Sequence, residues 1–217
     1  MHLDQLQHLL EELNAVRAPL RVTEVLLPPA AAQALRGTQI RHAAEQVFAR
    51  QAGPDALELA VYIDPRLQCR LALTDPRTAV TDVNLAALHS ASEGISHFLA
   101  LSHAAALDRE VSALELELQG EIDKFVLAAR LAGDNGHCSL DSQALFARQF
   151  EHARFAHDLS AEEEQRYRHA HRHAARLLGH WLNRYQGRWR HPALEAELRR
   201  FYRSSRAEKL RWQTAAC

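Results

Sequence analysis

Between Asn84 and Leu131 apolar residues recur at helical spacing on two opposite faces, where a surface helix would show a single stripe. In the segment Leu85 to Ala105 one face carries Leu88, Ala91, Ile95, Phe98, Leu99 and Ser102. The opposite face carries Ala86, Ser90, Glu93, His97, Ala100 and Ala104. A solvated face is rich in Lys, Arg and Glu, yet Glu93 is the sole formal charge between Asn84 and Leu107. Small residues let neighbouring backbones approach closely, so this helix is expected to be covered on both sides, with Glu93 and His97 one turn apart inside the packing.

A partner helix is expected from about Ser112, because Ser112-Ala113-Leu114-Glu115 has the Ser-x-x-Glu spacing of a capping box. It too has two apolar faces, Leu114, Leu118, Ile122, Phe125 and Ala129 against Leu116, Gly120, Leu127 and Leu131. Between them lie two polar sectors, Glu117, Glu121 and Lys124 in one, Glu115, Gln119, Asp123 and Arg130 in the other. A turn centred on Leu107 to Val111 makes the pair an antiparallel hairpin and sets His97 and Glu121 at about the same height. Periodicity leaves open whether those two side chains face each other.

The flanking segments follow from the same patterns. A helix is expected over His2 to Val16, and Arg21 to Leu27 reads as a strand. Pro28-Pro29 opens a short helix to Arg36 that Gly37 ends. Leu57, Leu59, Val61 and Ile63 alternate with Glu58, Ala60 and Tyr62 as a strand, preceded by a Gly53-Pro54-Asp55 turn. Glu45 to Gln51 is its hairpin partner, or else prolongs a helix begun at Gln39. Asp64-Pro65 closes the strand, and Asp75-Pro76 punctuates the route to the central hairpin. After Leu131, Gly133 to His137 reads as a loop, followed by a helix over Ser142 to Ala153 capped by Ser139 or Asp141. Ser160-Ala161-Glu162-Glu163 is a second capping box and opens a long helix to about Tyr185. Gly187 breaks it, Pro192 starts a helix to about Arg203, and Ser204 or Ser205 caps a last turn through Trp212. The expected fold is α+β, mostly helical, a small N-terminal antiparallel sheet packed beside a helical bundle with a central antiparallel helix hairpin. Residues 1–217 are expected to form a single domain, with the sheet region in 1–65, the helical core in 66–187 and a basic helical segment in 188–217.

Composition narrows the function classes. With 47% apolar residues the chain can bury a full core. It holds no run of about 18 apolar residues, so no membrane span is expected. Met1 leads directly into an amphipathic helix with no secretory signal, and three cysteines without a CxxC spacing argue against a disulfide framework and a structural zinc cluster. A cytoplasmic location is the expectation. The basic residues are 24 Arg and 2 Lys, so a retained Lys draws notice, and one of the two is Lys124 in the central polar sector. Charge is uneven: residues 184–217 carry a balance of +6, and the first 183 carry −7.

Two constellations could carry chemistry. Glu93, His97, Glu117 and Glu121 are metal-ligand types on facing helices, the way helical di-metal sites are built. The spacing is Glu-x-x-x-His, where the usual motif is Glu-x-x-His, and no second such pair occurs. The same residues also suit a buried network in which His97 meets Glu121 and Lys124 neutralises a carboxylate. His169, His173 and His180 align on the long helix but at an angle that places them toward solvent. The C-terminal Arg199, Arg200, Arg203, Arg206, Lys209 and Arg211, with Trp212 among them, can bind a protein partner, dock on the acidic body, or, less favoured, track a nucleic acid.

Three stretches, Glu93-Gly-Ile-Ser-His-Phe-Leu99, Leu114 to Phe125 (LELELQGEIDKF) and Arg200-Phe-Tyr-Arg203 followed by Glu208-Lys-Leu210, resemble segments of a family of uncharacterised bacterial proteins. The resemblance implies one cytosolic bacterial domain and transfers no catalytic residue and no activity. The sequence thus supports two functional readings. One is a cytosolic accessory or binding protein acting through a macromolecular partner by its basic C-terminal residues. The other is a metal-dependent enzyme of hydrolase or oxidase type, with Glu93, His97, Glu121 and Lys124 as catalytic candidates and Glu93, His97, Glu117 and Glu121 as ligands of a divalent ion.

Overall fold

The computed structural model describes residues 1–37, 44–53, 56–134, 140–151 and 159–212. Its organising element is α5 (Ala113–Asp134), which is buried along nearly its whole circumference from Glu115 onward. The capping box forms as expected: the Ser112 amide and hydroxyl both donate to Glu115 Oε2 at 2.9 Å, which satisfies amides that a helix start leaves open. Antiparallel to it runs α4 (Asp82–Ala106), opened by Asn84, whose side chain accepts from the Thr81 amide at 2.9 Å and donates to the Thr74 and Ala79 carbonyls. Leu88, Ile95, Phe98 and Leu99 of α4 and Ile122, Phe125 and Val126 of α5 are buried in one core.

The small sheet is a two-stranded antiparallel hairpin, β1 (Glu45–Gly53) and β2 (Ala56–Ile63), with Glu45 opposite Ile63 and Val47 opposite Val61. Only the end of β2 is buried, at Val61, Tyr62 and Ile63, so that end lies on α4 while the tip projects. Pairing carries Glu45 inward with Ile63. The strand expected at Arg21 to Leu27 does not form. Val22–Glu24 is a 3-10 turn, because the Arg21 amide donates to Glu24 Oε2 at 2.6 Å and this local bond competes with a ladder. The chain touches the sheet at a single bridge, Leu26 to Val61. Asp64-Pro65 ends β2 and also starts a helix, α3 (Pro65–Leu73), with Asp64 as its cap and Pro65 in its first turn.

The remaining helices enclose the hairpin. α1 (Leu3–Asn14) packs on α4 and α5, and α2 (Pro29–Arg36) ends at Gly37 with φ of 65°. α6 (Ser142–Phe146), capped by Asp141, continues into a π-helical turn at Ala147–Glu151. α7 (Ala161–Tyr185) starts at the Ser160 capping box and lies along α5. α8 (Pro192–Arg203) packs on α1, and α9 (Arg206–Arg211) is capped by Ser205. The expected loop at Gly133 to His137 begins later than foreseen, since α5 runs through Asp134; positions 135–137, Pro54-Asp55 of the hairpin turn, Gln39, and the end of the helix expected to reach Ala153 lie outside the described residues. Among the described residues no helix is long and apolar enough to cross a membrane.

Candidate functional site

One polar sector of α5 faces α4, α7 and the sheet, and there the hairpin brings five expected residues together, Glu93, His97, Glu117, Glu121 and Lys124. Lys124 Nζ donates to Glu93 Oε2 at 3.0 Å across the hairpin and to Glu121 Oε1 at 2.9 Å on its own helix. The side chains of Glu93 and His97 are only 19% and 12% exposed, which the Ala- and Ser-rich face of α4 foretold. His97 faces Glu117, where the sequence had suggested Glu121: the ring Nε2 lies 3.9 Å from Glu117 Oε2. The hairpin register therefore differs by one turn from a strictly symmetric one. His97 is admitted by Gly120, since a Cβ there would stand 3.0 Å from its Nε2 and 3.3 Å from Glu93 Cγ.

Residues that sequence periodicity did not single out complete the cluster. Glu45 on β1 reaches α4 at Gly94, where its Oε2 would lie 3.0 Å from an added Cβ. From the π turn, Gln149 donates to the Glu121 backbone carbonyl at 2.9 Å and to Glu121 Oε2 at 2.8 Å. From α7, His171 Nδ1 lies 3.5 Å from Glu121 Oε2, and Arg166 Nε lies 3.9 Å from Glu117 Oε1. His171 was legible in principle, because it sits one turn from both Tyr167 and Ala174 on the apolar stripe of α7. Glu45 carries no local signal; the pairing with Ile63 alone places it.

Hydrogen bonding divides the cluster in two. On the Lys124 side the ammonium and the Glu121 carboxylate are both hydrogen-bonded, while Gln149 Oε1 has no partner among the described residues. On the other side His97 Nε2, Glu117 Oε2 and Glu45 Oε2 are shut off from solvent without a hydrogen-bond partner among the described residues. Such orphaned buried groups are costly, about 1–3 kcal/mol each, and call for an explanation. Ligand atoms of Glu93, His97 and Glu117 all lie within 4.8 Å of one another, close enough for a single ion to reach the three.

Electrostatics follow the same division. Burial, then the neighbouring Glu93, pushes the Glu117 carboxyl up to about 8. Burial together with Glu93 and Glu117 likewise raises Glu45 well above the usual carboxylate range. Glu121 is buried as well, but Lys124 and His171 outweigh that effect and hold it far below its ordinary value. Burial opposes the Lys124 charge, yet Glu93 and Glu121 raise its pKa above the ordinary value. Burial lowers His97, which keeps the imidazole neutral and able to donate a lone pair. A cleft lined by Leu85, Ala86, His89, Ala147 and Gln149 approaches the cluster, and Gln149 is shared between the two.

The other expected residues lie elsewhere. His169, His173 and His180 are half-buried, not turned fully to solvent, and join no three-residue ligand group among the described residues. The basic C-terminal segment folds against the body. Arg203 donates to the Ala15 carbonyl at 2.8 Å, Arg199 lies 3.6 Å from Glu195, and Arg200 stacks over Trp212, whose ring meets Trp181 and Phe201. Lys209 is 4% exposed and donates to Gln119 Oε1 at 3.3 Å, on the second polar sector of α5. There Asp123 accepts from Asn14, Gln119 and Ser96. Arg206 and Arg211 remain exposed. No family model matches the sequence, and no curated protein or solved structure is detectably similar to it.

Proposed function

We propose that the protein is a metal-dependent enzyme of hydrolase or oxidase type, with one divalent ion held by Glu93, His97 and Glu117 of the α4–α5 hairpin. The observation that carries this reading is the convergence of buried ligand atoms: Glu117 Oε2 and His97 Nε2 lie 3.9 Å apart, shut off from solvent and without a hydrogen-bond partner among the described residues. A purely structural network would pair them, as Lys124 and Glu121 are paired beside them. Two carboxylates and one imidazole form a hard, mixed N/O set suited to zinc, manganese or iron. Three protein ligands leave a coordination position open, as catalytic sites do and closed structural zinc sites do not. A bound ion there would activate a water or polarise a substrate oxygen.

The accessory-protein reading draws less support, because Lys209 and Trp212 of the segment meant to meet a partner pack inward. Metal analysis of untagged protein tests the proposal. Near-stoichiometric zinc, manganese or iron that disappears in both His97→Ala and Glu117→Gln is the expected result. Failure of the metal-free protein to bind any of these ions in titration would overturn it. Retained zinc would point to hydrolysis and retained iron to oxidation.

A further inference from the structure

The ligand types in the cluster exceed what one ion needs. Around the Glu93, His97 and Glu117 group stand further ligand types: Glu121, with His171 Nδ1 3.5 Å from its Oε2, and Glu45, which reaches α4 at Gly94. Four carboxylates with two histidines is the donor count of a helical dinuclear carboxylate site. In such a site one carboxylate bridges two cations about 3.5–4 Å apart. Here Glu93 takes part in two groups. One is the unpaired space shared with His97 and Glu117. The other, between Glu93 and Glu121, is filled: Lys124 Nζ sits there, 3.0 Å from Glu93 Oε2 and 2.9 Å from Glu121 Oε1.

We infer that Lys124 is a built-in replacement for a second metal ion: its ammonium occupies the second cation position of a dinuclear-type donor set and restricts the protein to one metal. The inference rests on the mononuclear reading given above. Charge supports it. An ammonium neutralises the Glu93–Glu121 pair without leaving an open coordination position, so only the Glu117 side can present a ligand to substrate. Size supports it too, because the Nζ makes contacts at hydrogen-bond distance with both carboxylates that a divalent ion would otherwise bridge. The chain retains a lysine at this place although arginine supplies 24 of its 26 basic side chains. A guanidinium is planar and broad, whereas an ammonium is a compact point charge and the better mimic of a metal ion.

The test is metal stoichiometry and the Mn2+ electron paramagnetic resonance spectrum of the full-length protein, metal-free and then titrated with Mn2+, in wild type, Lys124→Met and Lys124→Gln. Wild type is expected to take up about one ion per chain and give an isolated-ion signal, and either variant about two, with the spectrum of an exchange-coupled pair. Lys124→Gln keeps a polar group in the space should Lys124→Met fail to fold. Two ions in wild type, or one in folded variants, would overturn the inference and leave the mononuclear proposal intact. No ion in wild type but one in a variant would overturn the mononuclear proposal, and with it the inference that rests on it.

Discussion

Gly120 is the residue on which the site's geometry turns. A methyl group there would press on His97 Nε2 and Glu93 Cγ at once, and neither can retreat far because α4 is packed behind them. Gly120→Ala should therefore displace His97, lower stability by about 1–3 kcal/mol through overpacking and weaken metal binding more than an alanine on an exposed helix face would. Thermal melting with a parallel metal titration measures both; an unchanged affinity would show that His97 is not a ligand. Much of this site was legible beforehand, since an Ala- and Ser-lined face with Glu93 and His97 on it has to be covered. What escaped was chemistry brought by distant elements, Glu45 from the sheet and His171 from α7. The lysine pattern was also only half read: both lysines of the chain, Lys124 and Lys209, are buried in polar clusters on the two sides of α5. Lys209 makes a pH prediction. Burial lowers its pKa from 10.5 to about 8, so the folded protein loses this proton before the unfolded chain does. The cost of burying the charge is fully present below about 8 and fades as the pH rises toward 10.5. Wild type should gain stability relative to Lys209→Met across that window, as read by denaturant unfolding at a series of pH values; parallel curves would refute the assignment.

At the scale of elements, the α4–α5 hairpin supplies both the core and the site, and its two functions occupy different faces of the same helices. Ile95 and Phe125 are fully buried, so replacing either with alanine should cost about 2–5 kcal/mol as a cavity. Val83, on the same helix as Ile95 but 54% exposed, should tolerate alanine within about 0.5 kcal/mol. Equal costs at Ile95 and Val83 in chemical denaturation would mean that the faces of α4 are assigned wrongly. The two longer helices that open on a Ser-x-x-Glu capping box, α5 and α7, began where the sequence placed them, because caps are local chemistry. Elements governed by competition between local and long-range bonds were harder. Arg21 to Leu27 has the composition of a strand, but the Glu24 side chain captures the Arg21 amide and only one bridge to β2 survives. Asp64-Pro65 signals an end and a beginning equally well, and here it is both.

Across the whole molecule, residues 184–217 carry a +6 balance and yet join the body chiefly through apolar contacts. Trp212 sits edge-on to Trp181 and Phe201, and Lys209 lies under Phe201 and Tyr202 while its ammonium reaches Gln119. Deleting residues 205–217 would uncover the fully buried Trp181 and Phe201 and leave Gln119 without that partner. The loss of apolar burial alone should lower stability by on the order of 2 kcal/mol. Asp123 would keep its bonds to Ser96 and Asn14, so the truncated chain should still unfold cooperatively. Salt separates the two contributions, since added ions screen exposed charges such as Arg206 and Arg211 but leave buried apolar area untouched. The difference in melting temperature between full-length and truncated protein should therefore persist from low to high ionic strength. A difference that vanishes in salt would make the joint ionic, and no difference at any ionic strength would mean that α9 adds nothing to the folded body and is held there for another purpose.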